Sequence, residues 1–252
     1  MRHALITAGT KGIGYKVTER LLEEGYSLTV SYFQDANKVE QLKKEWAPFL
    51  DRLDFVQADV TKAEDIRRLV DIAYKKRGRI DVLILNAGPY IFERKRLLDY
   101  TEEEWYEMVE GNLSSVFHFS KAVVPIMRKQ KYGRIITYGF QGANSAPGWK
   151  YRSAYAAAKV GLVSLMKTLA LEEAQHGITV NMVSPGNILG EMKEAAIEYA
   201  RRFYDENTPV GRSGTGEDIA RTIAFLCEEA SDMITGAVIE VTGGVDVIHR
   251  YR

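Results

Sequence analysis

Residues 3–24 run from a short apolar segment, through Thr7-Ala8-Gly9-Thr10-Lys11-Gly12-Ile13-Gly14, directly into a long amphipathic stretch. A strand that turns on glycines into a helix leaves unpaired N–H groups at the helix start, where the helix dipole also favours negative charge. Gly12 and Gly14 let the backbone approach a phosphate and let the helix pack on the strand, which side chains would obstruct. The segment therefore predicts the first strand, phosphate loop and helix of a dinucleotide-binding α/β fold. Glycine clusters also occur in ordinary tight turns. What gives this one meaning is its place after a strand, at the head of an alternating chain.

The alternation continues along the 252 residues. Apolar runs at 3–7, 27–32, 53–57, 82–86, 134–138, 179–183 and 238–241 predict seven parallel strands. Amphipathic stretches at 13–24, 37–46, 63–77, 102–128, 153–176 and 217–228 predict the helices between them, the pattern of a parallel sheet covered on both faces. Gly25, Gly78, Gly133 and Gly177 fall at expected helix ends. No linker or repeat divides the sequence, so residues 1–252 read as one Rossmann-type, doubly wound α/β domain in three layers. Two irregular regions, 139–152 and 185–216, follow strands, where open α/β sheets place ligands. The charged, aromatic stretch 191–205 within the second predicts a lid at about 189–208.

Composition narrows the function classes. The 34 basic residues balance the 34 acidic ones, so no global field recruits nucleic acid or an anionic membrane. The apolar segment begins at Ala4, and no apolar run reaches the length of a membrane span, which predicts a cytoplasmic protein. Cys227 has no partner for a disulfide, and His3, His118, His176 and His249 lack metal-ligand spacing.

If 153–176 is helical, Tyr155 and Lys159 share one face with their Cβ atoms about 5–6 Å apart. A tyrosine titrates near ~10, too high for efficient proton transfer at neutral pH, but an adjacent ammonium favours the phenolate. Such a tyrosine can protonate a carbonyl oxygen. The same spacing also arises from a surface lysine beside a half-buried tyrosine.

In their order along the chain these motifs resemble those of the short-chain dehydrogenase/reductase family, and the resemblance runs from residue 3 to residue 244. The family's Thr-Gly-x-x-x-Gly-x-Gly loop is matched at 7–14, with Ala8 in place of the first glycine. The resemblance implies an adenine contact at Asp59-Val60 and the family's Asn-Ala-Gly and Pro-Gly stretches at Asn86-Ala87-Gly88 and Pro185-Gly186. It implies catalytic roles for Tyr155 and Lys159, with Lys159 also holding the nicotinamide ribose, and for Asn112 as the residue that positions a water leading to Lys159. Cofactor contacts are then expected at Gly9, Thr10, Lys11, Gly12, Ile13, Gly14, Tyr32, Asp59, Val60, Asn86, Ala87, Gly88, Tyr155, Lys159, Pro185, Gly186 and Ile188. The end of the second strand, Tyr32-Phe33-Gln34, offers no carboxylate before Asp35, and Lys11 stands where NADP-using members often carry a base. NADP(H) is therefore favoured over NAD(H), although Lys11 also reads as an ordinary surface lysine.

Two departures lie on the nicotinamide side. Phe140 stands where the family has a catalytic serine, and Gly190 where it has a threonine. Phenylalanine donates no hydrogen bond, which leaves Ser145, Asn144 or Gln141 as candidate replacements. Loop aromatics Tyr90, Phe92, Phe140, Trp149, Tyr151, Tyr199, Phe203 and Tyr204 predict a bulky or apolar substrate, with Tyr90, Phe140, Gln141, Trp149 and Met192 in its pocket. The expected activity is NADPH-dependent reduction of a carbonyl, 3-oxoacyl or other ketone, free or acyl-carrier-linked, with Tyr155 as proton donor. An enoyl reductase is disfavoured, since that branch has a longer Tyr–Lys spacing. The rival reading is a dinucleotide-binding protein with little turnover. By family analogy the chain forms a homotetramer through the helices at 102–128 and 153–176.

Overall fold

Seven strands, β1 (His3–Ile6), β2 (Ser27–Tyr32), β3 (Leu53–Gln57), β4 (Val82–Leu85), β5 (Gly133–Tyr138), β6 (Ile178–Pro185) and β7 (Val238–Val241), form one parallel sheet in the order 3-2-1-4-5-6-7. The structure, a computed structural model, describes residues 1–248. Every residue of β1, β4 and β5 is buried, which is why these strands read as continuous apolar runs rather than alternating ones. The helices are α1 (Gly12–Glu23), α2 (Ala36–Glu45), α3 (Ala63–Arg77), α4 (Glu102–Val109), α5 (Ser115–Gln130), α6 (Ser153–Glu173), α7 (Ile197–Ala200) and α8 (Gly216–Cys227). They cover both faces, as the Rossmann-type pattern predicts.

Adjacent strand residues feed opposite cores, because side chains alternate across a sheet. Leu5, Leu83 and Ile135 face α3, α5 and α6, whereas Ala4, Ile6, Val82, Ile84 and Ile136 face α1 and α8. Strand order reverses between β1 and β4. In such sheets the loops at the carboxyl ends of the two diverging strands splay apart and leave a crevice for a ligand.

Three local expectations are corrected. The predicted helix 102–128 is interrupted: α4 and α5 are joined by a π-helical turn at Glu110–Ser114. That turn holds Asn112, whose Nδ2 donates to Met108 O at 3.0 Å. Gly133 is not a helix end. Lys131 takes the left-handed cap position (φ 53°), and Gly133 opens β5. A Cβ on Gly133 would lie 2.5 Å from Met127 Sδ, so glycine is needed there for packing. The lid region 189–208 is helical only in a short 3-10 turn, Gly190–Lys193, and in α7.

Arg134 closes the base of the sheet. Its guanidinium, on a fully buried side chain, donates to the carbonyls of Gly133, Gly177, Glu228 and Glu229 at 3.0–3.3 Å. It thereby ties β5 to the start of β6 and to the end of α8. One helix among the described residues, Ser153–His176, is long and apolar enough to cross a membrane. It packs on β6 and carries Lys159 into the interior.

Candidate active site

The glycine loop and the loop after β4 lock together. Thr7 N donates to Ile84 O at 3.0 Å, Ala87 N donates to Thr7 Oγ1 at 2.8 Å, and Asn86 Nδ2 donates to Thr7 O and Ala8 O at 3.2 and 3.0 Å. A Cβ on Gly14 would stand 2.3 Å from Ala8 O and 2.6 Å from Asn86 Nδ2, so only glycine lets α1 start this close to the strand. Ala8 holds φ +49°, the left-handed conformation that suits the glycine usual at this position. Replacing that glycine with alanine therefore leaves the turn intact, at a local steric cost.

α1 opens on Gly12 with no side-chain cap from Lys11. Its first-turn amides form an anion-binding end. Gly12 N donates to Glu194 Oε1 at 2.7 Å. Beside the loop, a cavity of about 600 Å³ is lined by Tyr32, Phe33, Asp59, Val60, Ala87 and Gly88 among others. Asp59 accepts from Thr61 N and Oγ1 at 3.0 and 2.7 Å through one carboxylate oxygen. Asp35 caps α2 by accepting from Lys38 N at 2.9 Å. Thr10 is buried behind the loop, and Lys11 is exposed.

A further cavity, of about 400 Å³, lies on the other side of Ile13, Asn86 and Gly88. Asn112, Tyr155, Lys159, Pro185, Gly186 and Ile188 line it, under aromatic walls from Tyr90, Phe92, Phe140, Trp149 and Tyr151. The residues expected to hold the dinucleotide thus form one track, from the cavity at Asp59, along the glycine loop, to the cavity at Tyr155. That track, with side-chain-free glycines and the start of α1 at its centre, fits a dinucleotide, although the Gly12 amide is held by Glu194.

Tyr155 and Lys159 lie one turn apart on α6, with Lys159 Nζ 5.7 Å from the Tyr155 ring centroid. Lys159 is 5% exposed, and loss of hydration lowers its amine to about 8. Burial also pushes the Tyr155 phenol well above its ordinary value, and the neighbouring Tyr90 phenol adds to the effect. The expectation was that Lys159 would lower Tyr155; in the folded chain loss of hydration and Tyr90 act on the phenol, and both raise it. Tyr155 is accordingly a neutral, proton-bearing phenol at pH 7. Asn112 Nδ2 donates to Pro89 O at 3.0 Å as well as to Met108 O, and its Oδ1 lies against Gly88, where a Cβ would approach it to 2.4 Å.

Phe140 is 3% exposed and packs its ring 4.8 Å from Trp149 and 6.2 Å from Tyr155, centroid to centroid. None of the three candidate substitutes for the serine lines this cavity. Gln141 Oε1 instead accepts from Val247 N, and Asn144 Oδ1 accepts from Lys167 Nζ. Met192, also expected in the pocket, packs against the core beneath α1 and α8 and lines separate cavities near Asp205. Tyr199, Phe203 and Tyr204 likewise stand away from this cavity. Gly190 takes φ +52° with no atom near its Cβ position.

Several neighbours of the site were not anticipated: Glu194, Val247, and Arg152, whose Nε donates to Tyr90 Oη at 2.7 Å. Arg152 lies one turn before Tyr155, the only sequence signal that marks it. Among the described residues no group of His, Cys, Asp and Glu side chains is arranged to hold a metal. His249 lies outside the described residues.

A family model described as enoyl-(acyl carrier protein) reductase matches residues 7–246. The chain is 67% identical over 251 residues to YtkK of Bacillus subtilis, provisionally named an oxidoreductase, covering 99% of this chain and 98% of that protein. It is 35% identical over 245 residues to the 3-oxoacyl-[acyl-carrier-protein] reductase FabG of Staphylococcus epidermidis, covering 97% and 98% of the two chains. A solved structure from Bacillus thuringiensis, provisionally named a 3-oxoacyl-reductase, superposes with a TM-score of 0.93 at 64% identity, covering 99% of this chain and 100% of that one.

Proposed function

The chain belongs to the short-chain dehydrogenase/reductase family of oxidoreductases, and from that premise we propose that it reduces a ketone, 3-oxoacyl or similar, to an alcohol with NADPH, Tyr155 donating the proton. The observation that carries this reading is the buried Tyr155–Lys159 pair at the floor of an aromatic-walled cavity.

The glycine loop, Asn86, Lys159 and residues 185–188 would hold the dinucleotide, which when bound would supply the hydride for the carbonyl carbon. The protein's part is acid–base. Tyr155, kept neutral by burial, gives its proton to the carbonyl oxygen as negative charge develops there. Lys159, lowered to about 8, keeps most of its charge at pH 7, stabilises the phenolate left behind and passes a proton back to it. Asn112 is the positioning residue for the water that refills Lys159. Phe140 and Trp149 exclude solvent from the reacting centre.

Three features favour NADP(H) over NAD(H). Lys11 is free beside the phosphate loop, the end of β2 carries no carboxylate, and Asp35 is engaged in capping α2. Relatives that act on acyl-carrier-linked 3-oxoacyl groups favour that substrate class. Tyr155 and Lys159 stand only one turn apart, which favours C=O over C=C reduction despite the description of the matching family model. An apolar groove formed by Leu113, Phe117, Gly161 and Leu165 supports assembly of a homotetramer through α4–α5 and α6, in a cytoplasmic protein.

The test is turnover of a ketone panel with NADPH. Tyr155→Phe is expected to lose about 10²-fold or more in kcat while retaining dinucleotide binding. An unchanged rate in that variant overturns the mechanism. Phe140 favours a second reading, a dinucleotide-binding protein with little turnover. On that reading wild type binds NADPH without consuming it, and Phe140→Ser raises turnover of simple ketones.

A further inference from the structure

Phe140 removes the hydroxyl that would steady a substrate carbonyl, and no serine or threonine lines the catalytic cavity. Two of the three side-chain amides there, Asn86 and Asn112, already donate to backbone carbonyls, and the third, Asn187, belongs to the stretch 185–188 expected to hold the dinucleotide. Tyr90 is placed differently. Its phenol oxygen accepts from Arg152 Nε at 2.7 Å, so its own proton remains available to a ligand. Its ring stands edge-to-face on Tyr155, with centroids 4.9 Å apart and planes at 86°. The two phenols therefore border the same space.

We propose that Tyr90 takes over the missing serine's task, its hydroxyl donating a hydrogen bond to the carbonyl oxygen that Tyr155 protonates, with Arg152 as its positioning residue. The inference rests on the carbonyl-reductase reading above. Arg152 suits the role on two counts. A hydrogen bond from a cation draws electron density from the phenol oxygen and strengthens Tyr90 O–H as a donor. The other guanidinium nitrogens donate to Glu93 O, Phe92 O and Tyr151 O at 2.6, 3.0 and 2.9 Å, pinning the loop that carries Tyr90 to the segment entering α6. Tyr90 is thus a preorganised donor, the arrangement that stabilises charge developing on oxygen without reorganisation. Phe140 fills the alternative position and closes the far wall against Trp149.

Tyr90→Phe keeps the ring and deletes only the hydroxyl. It is expected to lower kcat and kcat/KM together, by about 10- to 100-fold, with NADPH affinity unchanged and Tm only slightly lowered, because Arg152 keeps its three backbone acceptors. Arg152→Gln should approach the same rate, and Arg152→Lys should recover part of it. Adding Phe140→Ser to Tyr90→Phe should restore turnover, whereas Phe140→Ser alone should not raise it. A Tyr90→Phe enzyme within twofold of wild type in kcat, or one impaired in KM alone, overturns the proposal. If Tyr155→Phe is inactive while Tyr90→Phe is fully active, this inference fails and the reductase reading stands. A wild type inert toward every ketone overturns both.

Discussion

The backbone N–H of Gly12 donates to a carboxylate oxygen of Glu194 at 2.7 Å, joining the phosphate loop to the segment after β6 across 182 residues of sequence. α1 has no other side-chain cap and no acidic residue in its first turn. Glu194 therefore meets the unpaired amide and the positive end of the helix dipole, the features an anionic ligand would use. On the proposed binding mode a pyrophosphate would take the place this carboxylate holds, so Glu194→Ala is expected to tighten NADPH binding by about two- to fivefold. Fluorescence titration of the two proteins checks it, and weaker binding by the variant refutes it.

Lys159 makes stability and activity oppose each other. Its folded-state value of about 8 lies below the ordinary 10.5, so between those pH values the unfolded chain holds more protons than the folded one. Stability contributed by this group therefore rises with pH through that window. At pH 7 the buried ammonium costs roughly 3 kcal/mol. Lys159→Met should unfold at a higher temperature at pH 7, lose the gain by pH 10.5, and be inactive. Wild-type kcat should decline as pH rises through about 8, where Lys159 discharges. A variant no more stable than wild type at pH 7 contradicts this account.

At Gly14 the glycine loop has no room for a side chain. The Cβ of alanine would meet Ala8 O at 2.3 Å and, at 2.6 Å, the Asn86 amide nitrogen, which two backbone carbonyls hold in place. Gly14→Ala is expected to lose about 1–3 kcal/mol of stability and most dinucleotide affinity, measured by denaturant unfolding and titration. Retained affinity would mean that α1 can shift away from Ala8 without cost.

At the opposite end of the sheet, Arg134→Leu would take a donor from the carbonyls of Gly133, Gly177, Glu228 and Glu229, of which Gly177 O and Glu228 O keep Gly133 N and Ser231 N. A loss of about 2–4 kcal/mol is expected, with kcat unchanged in the protein that remains folded because the site lies at the other edge. A selective loss of kcat at unchanged stability would show that this base communicates with the cavity.

Most of the fold was legible because it rests on local periodicity. Buried parallel strands give unbroken apolar runs such as Val82–Leu85, and helices between them give a 3.6-residue pattern, so seven strands and their order along the chain followed directly. The break in the helix at Asn112 did not, because a π turn inserts within a stretch whose apolar spacing still reads as helical. Gly133 misled for a related reason: a glycine after a helix suggests a cap, whereas here its lack of a Cβ makes room for Met127.

The pairing of Tyr155 with Lys159 was determined by sequence alone, since residues four apart on a helix share a face wherever that helix is placed. Tertiary structure decided what that pairing means chemically. Burial holds Lys159 down and Tyr155 up, and burial depends on every element packed around α6, not on spacing. The same holds for the turning away of Gln141 and Met192 and for the contacts Arg152–Tyr90 and Glu194–Gly12, 62 and 182 residues apart. The glycine loop could be read from its own residues because its geometry is set by its own backbone. The groups gathered over it come from loops on β4, β5 and β6, and only the folded sheet brings the ends of those strands together.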